Sequence, residues 1–292
     1  MSDWVIGVIG GSGLYAIDGL ENAREERIET PWGEPSDALV RGQVGNVEMV
    51  FLPRHGRGHR LSPTTVPYRA NIDALKRAGC TDILSISACG SLREALAPGD
   101  FVMVDQFIDR TFAREKSFFG PGMVAHVSMA EPICGRLSQL AGKAAETTGA
   151  NVHWGGTYLT MEGPQFSSRA ESHMYRQWGC DVIGMTNMPE AKLAREAELP
   201  YATIAMVTDY DCWRDDEDAV TVTNVLEIMH QNSERAKQAI ASLVQGLQDT
   251  PRTPSPQGIE TCLDHALITA PDARDPAVLA RLEAVAGRVL GT

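Results

Sequence analysis

Short runs rich in valine and isoleucine alternate along this chain with segments of helical periodicity, a pattern that fits an α/β sheet rather than segregated layers. Residues 4–9 read as a buried first strand that ends at Gly10, Gly11 and Gly13. Residues 47–52 run into Pro53, and residues 83–87 stop at Ala88, Cys89 and Gly90. Residues 157–161 and 201–207 complete the clear strands. Tyr68, Ile72, Leu75 and Ala78 recur at helical spacing, with Gly79 placed to end that helix. Ser168 and Glu171 have capping-box spacing and predict another helix start. Residues 220–247 read as a long amphipathic helix, and the Pro-, Ser- and Thr-rich stretch 249–258 as a linker. Beyond it, Asp275 and Pro276 supply a cap and first turn. Val278, Leu282, Val285 and Val289 then form an apolar stripe that must cover the core or a neighbouring subunit. The expected organisation is one domain over 1–248, followed by a linker and C-terminal helical extension over 249–292.

A formal net charge of -12 disfavours nucleic acid and anionic membrane as partners, since both are negative themselves. No apolar run approaches the roughly 20 residues of a bilayer span. The N-terminus lacks the basic region and cleavage site of a signal peptide, so a cytoplasmic protein is expected. Six cysteines, scattered singly, read as buried thiols. The histidines show no metal-ligand spacing. His55 and His59 stand four apart, but Gly56 and Gly58 argue against a helical ligand pair, and no metal is expected.

Four segments that follow strands carry the chemistry. Gly10-Gly11-Ser12-Gly13 lets backbone N–H groups approach an anion, and the Ser12 hydroxyl adds a donor. It fits neither the dinucleotide fingerprint nor the P-loop, which requires a lysine. Arg54-His55-Gly56-Arg57-Gly58-His59-Arg60 gathers three arginines and two histidines within seven residues of an acidic chain. A solvated basic turn is the plain reading. Arginine, however, suits bidentate oxyanion recognition, and ligands bind at strand ends of α/β sheets. Ser87, at another strand end, supplies a further hydroxyl, so one oxyanion site accounts for three donor-rich strand ends. In Met161-Glu162-Gly163-Pro164-Gln165-Phe166-Ser167-Ser168 a fixed turn presents Phe166, whose face suits base stacking. In Thr208-Asp209-Tyr210-Asp211-Cys212-Trp213 two acids follow a buried strand, either as a surface turn or as acceptors and a proton donor in a pocket.

In this order the segments resemble the 5′-methylthioadenosine phosphorylases of the purine nucleoside phosphorylase superfamily, over nearly the whole chain to about Leu247. The motifs that carry the resemblance are GVIGGSGLY, RHGRGH, SACGSLRE, MEGPQFSSRAES, GMTNMPEA and TDYDCW. It implies a single α/β domain with a central mixed, partly barrel-like β-sheet flanked by helices. It places phosphate against Ser12, Arg54, His55, Ser87 and Thr186, and sets Phe166 on the purine, with Ala88, Cys89, Gly90 and Met185 bordering base and ribose. His126 would reach the 5′ end of a nucleoside bound in an adjacent subunit of a homotrimer. Val222, Val225 and Leu226 would line an apolar 5′-methylthio pocket, although their spacing with Met229 is also that of a core stripe. Gly184 stands where some relatives carry Asn.

Asp209 as proton donor to N7 and Asp211 as acceptor from N6 select adenine over a 6-oxopurine. Asp209 would then need a raised pKa, through burial beside Asp211. The implied reaction is phosphorolysis of 5′-methylthioadenosine to adenine and 5-methylthioribose 1-phosphate. Inorganic phosphate is the co-substrate, and no organic cofactor is expected. The rivals are a phosphorylase for 6-oxopurine nucleosides or methylthioinosine, a hydrolytic nucleosidase, and a non-catalytic nucleotide-binding module.

Overall fold

The computed structural model describes residues 3–11, 13–14, 17–214 and 222–291, with the side chains of residues 222–226 outside the described set. In chain order the strands are β1 (Val5–Gly10), β2 (Glu21–Glu26), β3 (Leu39–Val44), β4 (Val47–Pro53), β5 (Asp82–Ser91), β6 (Phe101–Met103), β7 (Gln106–Asp109), β8 (Val152–Trp154), β9 (Thr157–Thr160), β10 (Val182–Gly184) and β11 (Tyr201–Asp209). The helices are α1 (Tyr68–Arg77), α2 (Gly135–Glu146), α3 (Arg169–Gln177), α4 (Asn187–Glu196), α5 (Val222–Leu247), α6 (Pro276–Arg281) and α7 (Glu283–Leu290). The five runs expected as strands are β1, β4, β5, β9 and β11.

All the strands belong to one mixed sheet, ordered β2-β3-β4-β1-β5-β10-β9-β7 along its main path. The long strand β5 is its hub. Its first half lies between β1, where Ile6 pairs with Asp82, and β11, where Tyr201 pairs with Ile83. Its last residues turn to β10 instead, with Val182 opposite Ser91. Beyond β11 come β6 and β8. The sheet therefore curls about β5 and β11, while no ladder joins β7 to β8 among the described residues. This is the mixed, partly barrel-like sheet that was expected. Strands β1, β4, β5 and β11 are mutually parallel, so their C-terminal ends share one edge, where an α/β sheet binds ligands.

The helices form for local reasons. Tyr68, Ile72 and Leu75 bury one face of α1, and Gly79 ends it at φ +78°, a left-handed conformation that costs glycine little. Ser168 caps α3 with a full capping box, its backbone N–H donating to Glu171 at 2.8 Å. In α4 the residue before Pro189, Met188, is extended (φ −119°, ψ 134°), because the proline ring disfavours a helical residue ahead of it.

The C-terminal extension packs on its own chain. Trp4 Nε1 donates to the Thr250 carbonyl at 2.7 Å. Arg252 pairs with the buried Asp82 at 2.7 Å and with Glu260 at 3.0 Å, so the Pro-rich stretch is pinned along the sheet. Asp275 caps α6, as its spacing predicted, and the apolar stripe breaks into two short helices at Leu282. Leu263, Leu282 and Val285 join the same core cluster as Trp4 and Leu75. Burying each contributes about 1.5–3 kcal/mol.

At the end of α4, Glu196 accepts from Ser117 Oγ and from the Phe118 backbone N–H, both at 2.7 Å. Burial outweighs these bonds and pushes its pKa up to about 7 from an ordinary 4.5. Between those values the folded state holds a proton that the unfolded chain has released, so this group's stabilisation is complete below about pH 4.5 and lost by about pH 7. Glu196→Gln can keep both contacts without the buried charge. Thermal melts from pH 4.5 to 8 should show the variant gaining on wild type up to about pH 7 and then holding a constant lead on the order of 3 kcal/mol. Parallel curves at every pH would show that Glu196 does not titrate as described.

Candidate active site

At the shared edge, the segments that follow the parallel strands enclose a cavity of about 210 Å³. Gly11 and Gly13 follow β1, Arg54, His55 and His59 follow β4, and Ser87 and Ala88 lie on β5. Thr186 closes it from the start of α4, and Met229 and Ser233 from α5. Gly10 pairs with Pro53 in register, and the Arg54 backbone N–H donates to the Gly10 carbonyl at 2.9 Å, which sets the first two loops level. Ser87 Oγ stands 3.5 Å from Thr186 Oγ1, so two hydroxyls meet over the floor. This brings together the expected phosphate residues Arg54, His55, Ser87 and Thr186. Ser12 lies outside the described residues.

Arg54 is buried, and its guanidinium is held mainly from within. Nε and Nη2 bind the two oxygens of Glu190 at 2.7 and 3.0 Å. Nη2 also reaches Ser85 Oγ at 2.7 Å, and Nη1 reaches the Ile86 carbonyl at 3.0 Å. The bidentate partner is thus Glu190, and one Nη1 N–H remains for a ligand, which corrects the expected bidentate grip on phosphate. Burial opposes the charge on Arg54, but Glu190 more than restores it and the guanidinium pKa is raised.

The rest of the basic segment divides. His55 Nδ1 lies 2.8 Å from the Leu61 carbonyl, which can only accept, so Nδ1 carries the proton. Burial first, and the Arg54 charge second, hold the His55 pKa at about 4. The ring is neutral at pH 7, and Nε2 is an acceptor rather than the donor that was expected. His59 stacks on His55 with ring centroids 4.3 Å apart. Arg57 pairs with Glu25 at 2.6 Å and Arg60 with the Ser36 carbonyl. Neither lines the cavity, so Arg54 is the one arginine of the segment that does.

Further along β5, Gly90 faces the two acids. A Cβ at Gly90 would stand 2.9 Å from Asp209 Oδ1 and 3.4 Å from Asp211 Cβ, so only glycine admits this approach. Asp209 accepts from Thr208 Oγ1 at 2.6 Å and from the Asp211 backbone N–H at 2.8 Å. Asp211 holds a left-handed φ of +54°, uncommon outside glycine though tolerated by Asp. Burial pushes Asp211 above the ordinary carboxylate range, with the charge of Asp209 adding to the rise against nearby serine hydroxyls. Ser87 and Gly90 are three residues apart on one strand, about 10 Å.

Other expected residues stand apart. Phe166 is 52% exposed and lines a neighbouring cavity of about 270 Å³ with Phe112, Gln165 and Tyr175, rather than the one that holds Ser87. Met185 packs on Gly163, whose absent Cβ would fall 2.5 Å from its sulfur. Cys89 is buried, with its thiol pushed well up by burial. His126 is exposed and lines neither cavity. Val222, Val225 and Leu226 have side chains outside the described residues, while Met229, the fourth member of that spacing, lines the first cavity.

Two buried ion pairs hold this edge, and sequence reasoning gave neither a role. Glu190 also accepts from Ser85 Oγ at 2.8 Å and Tyr201 Oη at 2.9 Å, which fastens Arg54 to β5, α4 and β11. Arg114 donates to Glu162 Oε1 at 2.9 Å and to the carbonyls of Met185 at 2.6 Å and Met188 at 2.7 Å. Glu162 accepts from the backbone N–H groups of Phe112 and Ala113 at 2.6 and 3.1 Å, and from Thr64 Oγ1 at 2.6 Å. Burial alone would raise the Glu162 pKa, but these donors bring it to about 2. Glu190 and Glu162 lie inside motifs already singled out. Arg114 had no signal beyond being an arginine.

The profile of the Phosphorylase superfamily matches residues 5–245. S-methyl-5′-thioadenosine phosphorylase of Cereibacter sphaeroides is 63% identical over 286 residues, covering 98% of each chain. That of Rhodospirillum rubrum is 59% identical over 287 residues, covering 98% of this chain and 97% of its own. Among solved structures, a methylthioadenosine phosphorylase from an Antarctic soil metagenomic library superposes with a TM-score of 0.90 at 48% identity, over 97% of this chain and 99% of that one. The Schistosoma mansoni methylthioadenosine phosphorylase in complex with adenine gives 0.80 at 40% identity, over 88% and 96%.

Arg114→Met would leave the backbone carbonyls of Glu162, Met185 and Met188, and the Glu162 charge, without their shared partner. Breaking such a pair costs about 3–5 kcal/mol. Urea denaturation should show a loss of that order, and turnover should fall with it because the 185–188 turn is no longer held. An unchanged denaturation midpoint would show that Arg114 is not the tie described.

Proposed function

The chain belongs to the phosphorylase superfamily, and we propose that it catalyses phosphorolysis of 5′-methylthioadenosine, the reaction named for relatives 63% and 59% identical to it. The observation that carries this reading is the pairing, on one strand, of an oxyanion floor at Ser87 with two facing acids at Gly90. A phosphate oxygen bonds to C1′ as the C1′–N9 bond breaks, and the purine leaves with that electron pair. Charge on the sugar is greatest between these events, where the bound phosphate stabilises it.

Protonation at N7 neutralises the leaving purine. Asp209 delivers that proton, and Asp211 accepts from the adenine N6 amino group. Burial and its neighbour's charge both push Asp211 above the ordinary carboxylate range, which favours a proton on the two acids relative to isolated carboxylates. A 6-oxopurine would turn an acceptor oxygen toward Asp211. On the phosphate side, Ser87, Thr186 and the remaining Arg54 N–H donate. His55 Nε2 accepts the P–OH of monohydrogen phosphate. Inorganic phosphate is the co-substrate, and the reaction asks for no organic cofactor or metal.

Adenine release from 5′-methylthioadenosine should require phosphate and exceed the release of hypoxanthine from methylthioinosine. Phosphate-independent release would make the protein a nucleosidase, and preference for methylthioinosine would overturn the roles of Asp209 and Asp211. Asp209→Asn should lower kcat about 10²–10⁴-fold, the usual worth of a positioned general acid, with little change in the phosphate KM.

The assembly we propose is a homotrimer working in the cytoplasm, with a neighbouring copy completing each site. Phe112, 81% exposed, and the half-exposed Phe166 form an apolar surface that asks for cover, and the exposed His126 is free to serve another subunit. None of the six cysteines is in a disulfide, as a reducing compartment requires. No helix among the described residues is long and apolar enough to cross a membrane. Light scattering should give three times the chain mass, and Phe112→Asp should lower it. A monomer with full activity would exclude the shared site.

A further inference from the structure

Gly184 and Tyr158 meet on adjacent strands behind the phosphate side of the site. A Cβ at position 184 would stand 1.8 Å from Tyr158 Oη and 2.7 Å from the ring carbon that bears it, so the phenol fills the space that any side chain at 184 would need. The adjoining strands set this up: β10 pairs with β9, where Val182 opposes Tyr158 and Gly184 opposes Thr160. Tyr158 is fully buried, with Phe107 edge-on to its ring at 5.9 Å. Its hydroxyl lies 3.0 Å from Ser87 Oγ, and the residue does not line the cavity.

We propose that Tyr158 is a positioning residue for phosphate, donating its hydroxyl hydrogen to Ser87 Oγ so that the Ser87 hydroxyl is left to donate into the cavity. Phosphate oxygens are acceptors, and a serine hydroxyl has one hydrogen. In the present arrangement that hydrogen has a distant alternative in the Ala88 carbonyl at 3.3 Å. A donor behind Ser87 satisfies the lone pairs of Oγ and favours the outward donation, since hydrogen bonds in a chain polarise one another. Burial raises the Tyr158 pKa, and the hydroxyl remains a donor at every working pH. Gly184 belongs to the same device, because any larger residue there would displace the phenol oxygen from Ser87.

The inference rests on the reading of Ser87 as a phosphate ligand. It is tested with Tyr158→Phe, Ser87→Ala and the double variant, varying phosphate at saturating 5′-methylthioadenosine and measuring adenine affinity separately. Tyr158→Phe should raise the phosphate KM about fivefold, the worth of one neutral hydrogen bond, and leave adenine affinity unchanged. The double variant should match Ser87→Ala alone, because Tyr158 acts only through Ser87. Gly184→Ala should reproduce the phosphate defect with the tyrosine still present. Independent, multiplicative losses in the double variant would overturn the proposal. So would a Tyr158→Phe enzyme with a lowered melting temperature and an unchanged phosphate KM. Release of adenine by the wild type without phosphate would instead refute the phosphorylase reading itself, whatever the variants do.

Discussion

The edge of the sheet depends on one buried ion pair. Glu190 comes from α4 and Arg54 from the end of β4, and their bidentate contact at 2.7 and 3.0 Å reaches across the ends of β1 and β5. Ser85 and Tyr201 complete the carboxylate's partners, so four elements are fastened at one point. A lone charge here would carry a desolvation penalty of several kcal/mol. The pair is viable because nearly every donor and acceptor on it is used. Its effect is positional: the backbone on either side is fixed, and His55, Ser87 and Thr186 come to one cavity as a consequence.

Around that point the strand β5 distributes the site. Small residues on β5 and on the neighbouring β10 let larger side chains close in on the site. Gly90 admits Asp209, and Gly184 on β10 admits the Tyr158 hydroxyl. The glycines that matter most here are thus places where another side chain occupies the missing volume. The same principle acts where Met185 packs on Gly163. Residues distant in sequence become interdependent through shape, and a methyl at any of these positions is felt by a functional group rather than by the core.

Sequence pattern located the elements that are buried along their length and those that carry a cap or stop signal, such as α1, α3 and α6. Strands β1, β4, β5 and β11 are buried along nearly their whole length. The edge strand β2 reads ENAREE and is charged and exposed, so no hydrophobic period marks it. Strands β6, β8 and β10 are three residues each, too short to show a period. At the site, donors that stand at strand ends were legible because glycine turns and basic residues cluster locally. Their partners were not. Arg54 and Glu190 are 136 positions apart, and Tyr158 and Ser87 are 71 apart. In sequence a buried glutamate or arginine looks the same as a solvated one. The acid pair shows the same limit: two aspartates after a strand were visible, but the burial that pushes Asp211 upward depended on packing against α3 and β5.

The charge on the site follows from these contacts, and on the proposed reading it shapes how phosphate is held. The chain is acidic overall, with a net charge of -12, and three arginines in one turn suggested a cationic pocket. The structure spends those charges elsewhere. Arg57 and Arg60 face away, His55 is neutral, and Arg54 is compensated by Glu190. Among the described residues, what turns toward the cavity includes hydroxyls, one guanidinium N–H and an imidazole acceptor, beside the His59 ring. A pocket of net cations would stabilise the free phosphate dianion most and weaken its attack, since charge would pass to the sugar only at the cost of those contacts. A nearly neutral pocket of fixed dipoles holds the anion without neutralising it. On the reading proposed here, the charge of phosphate then meets its strongest partner in the cationic sugar, which exists only in the transition state.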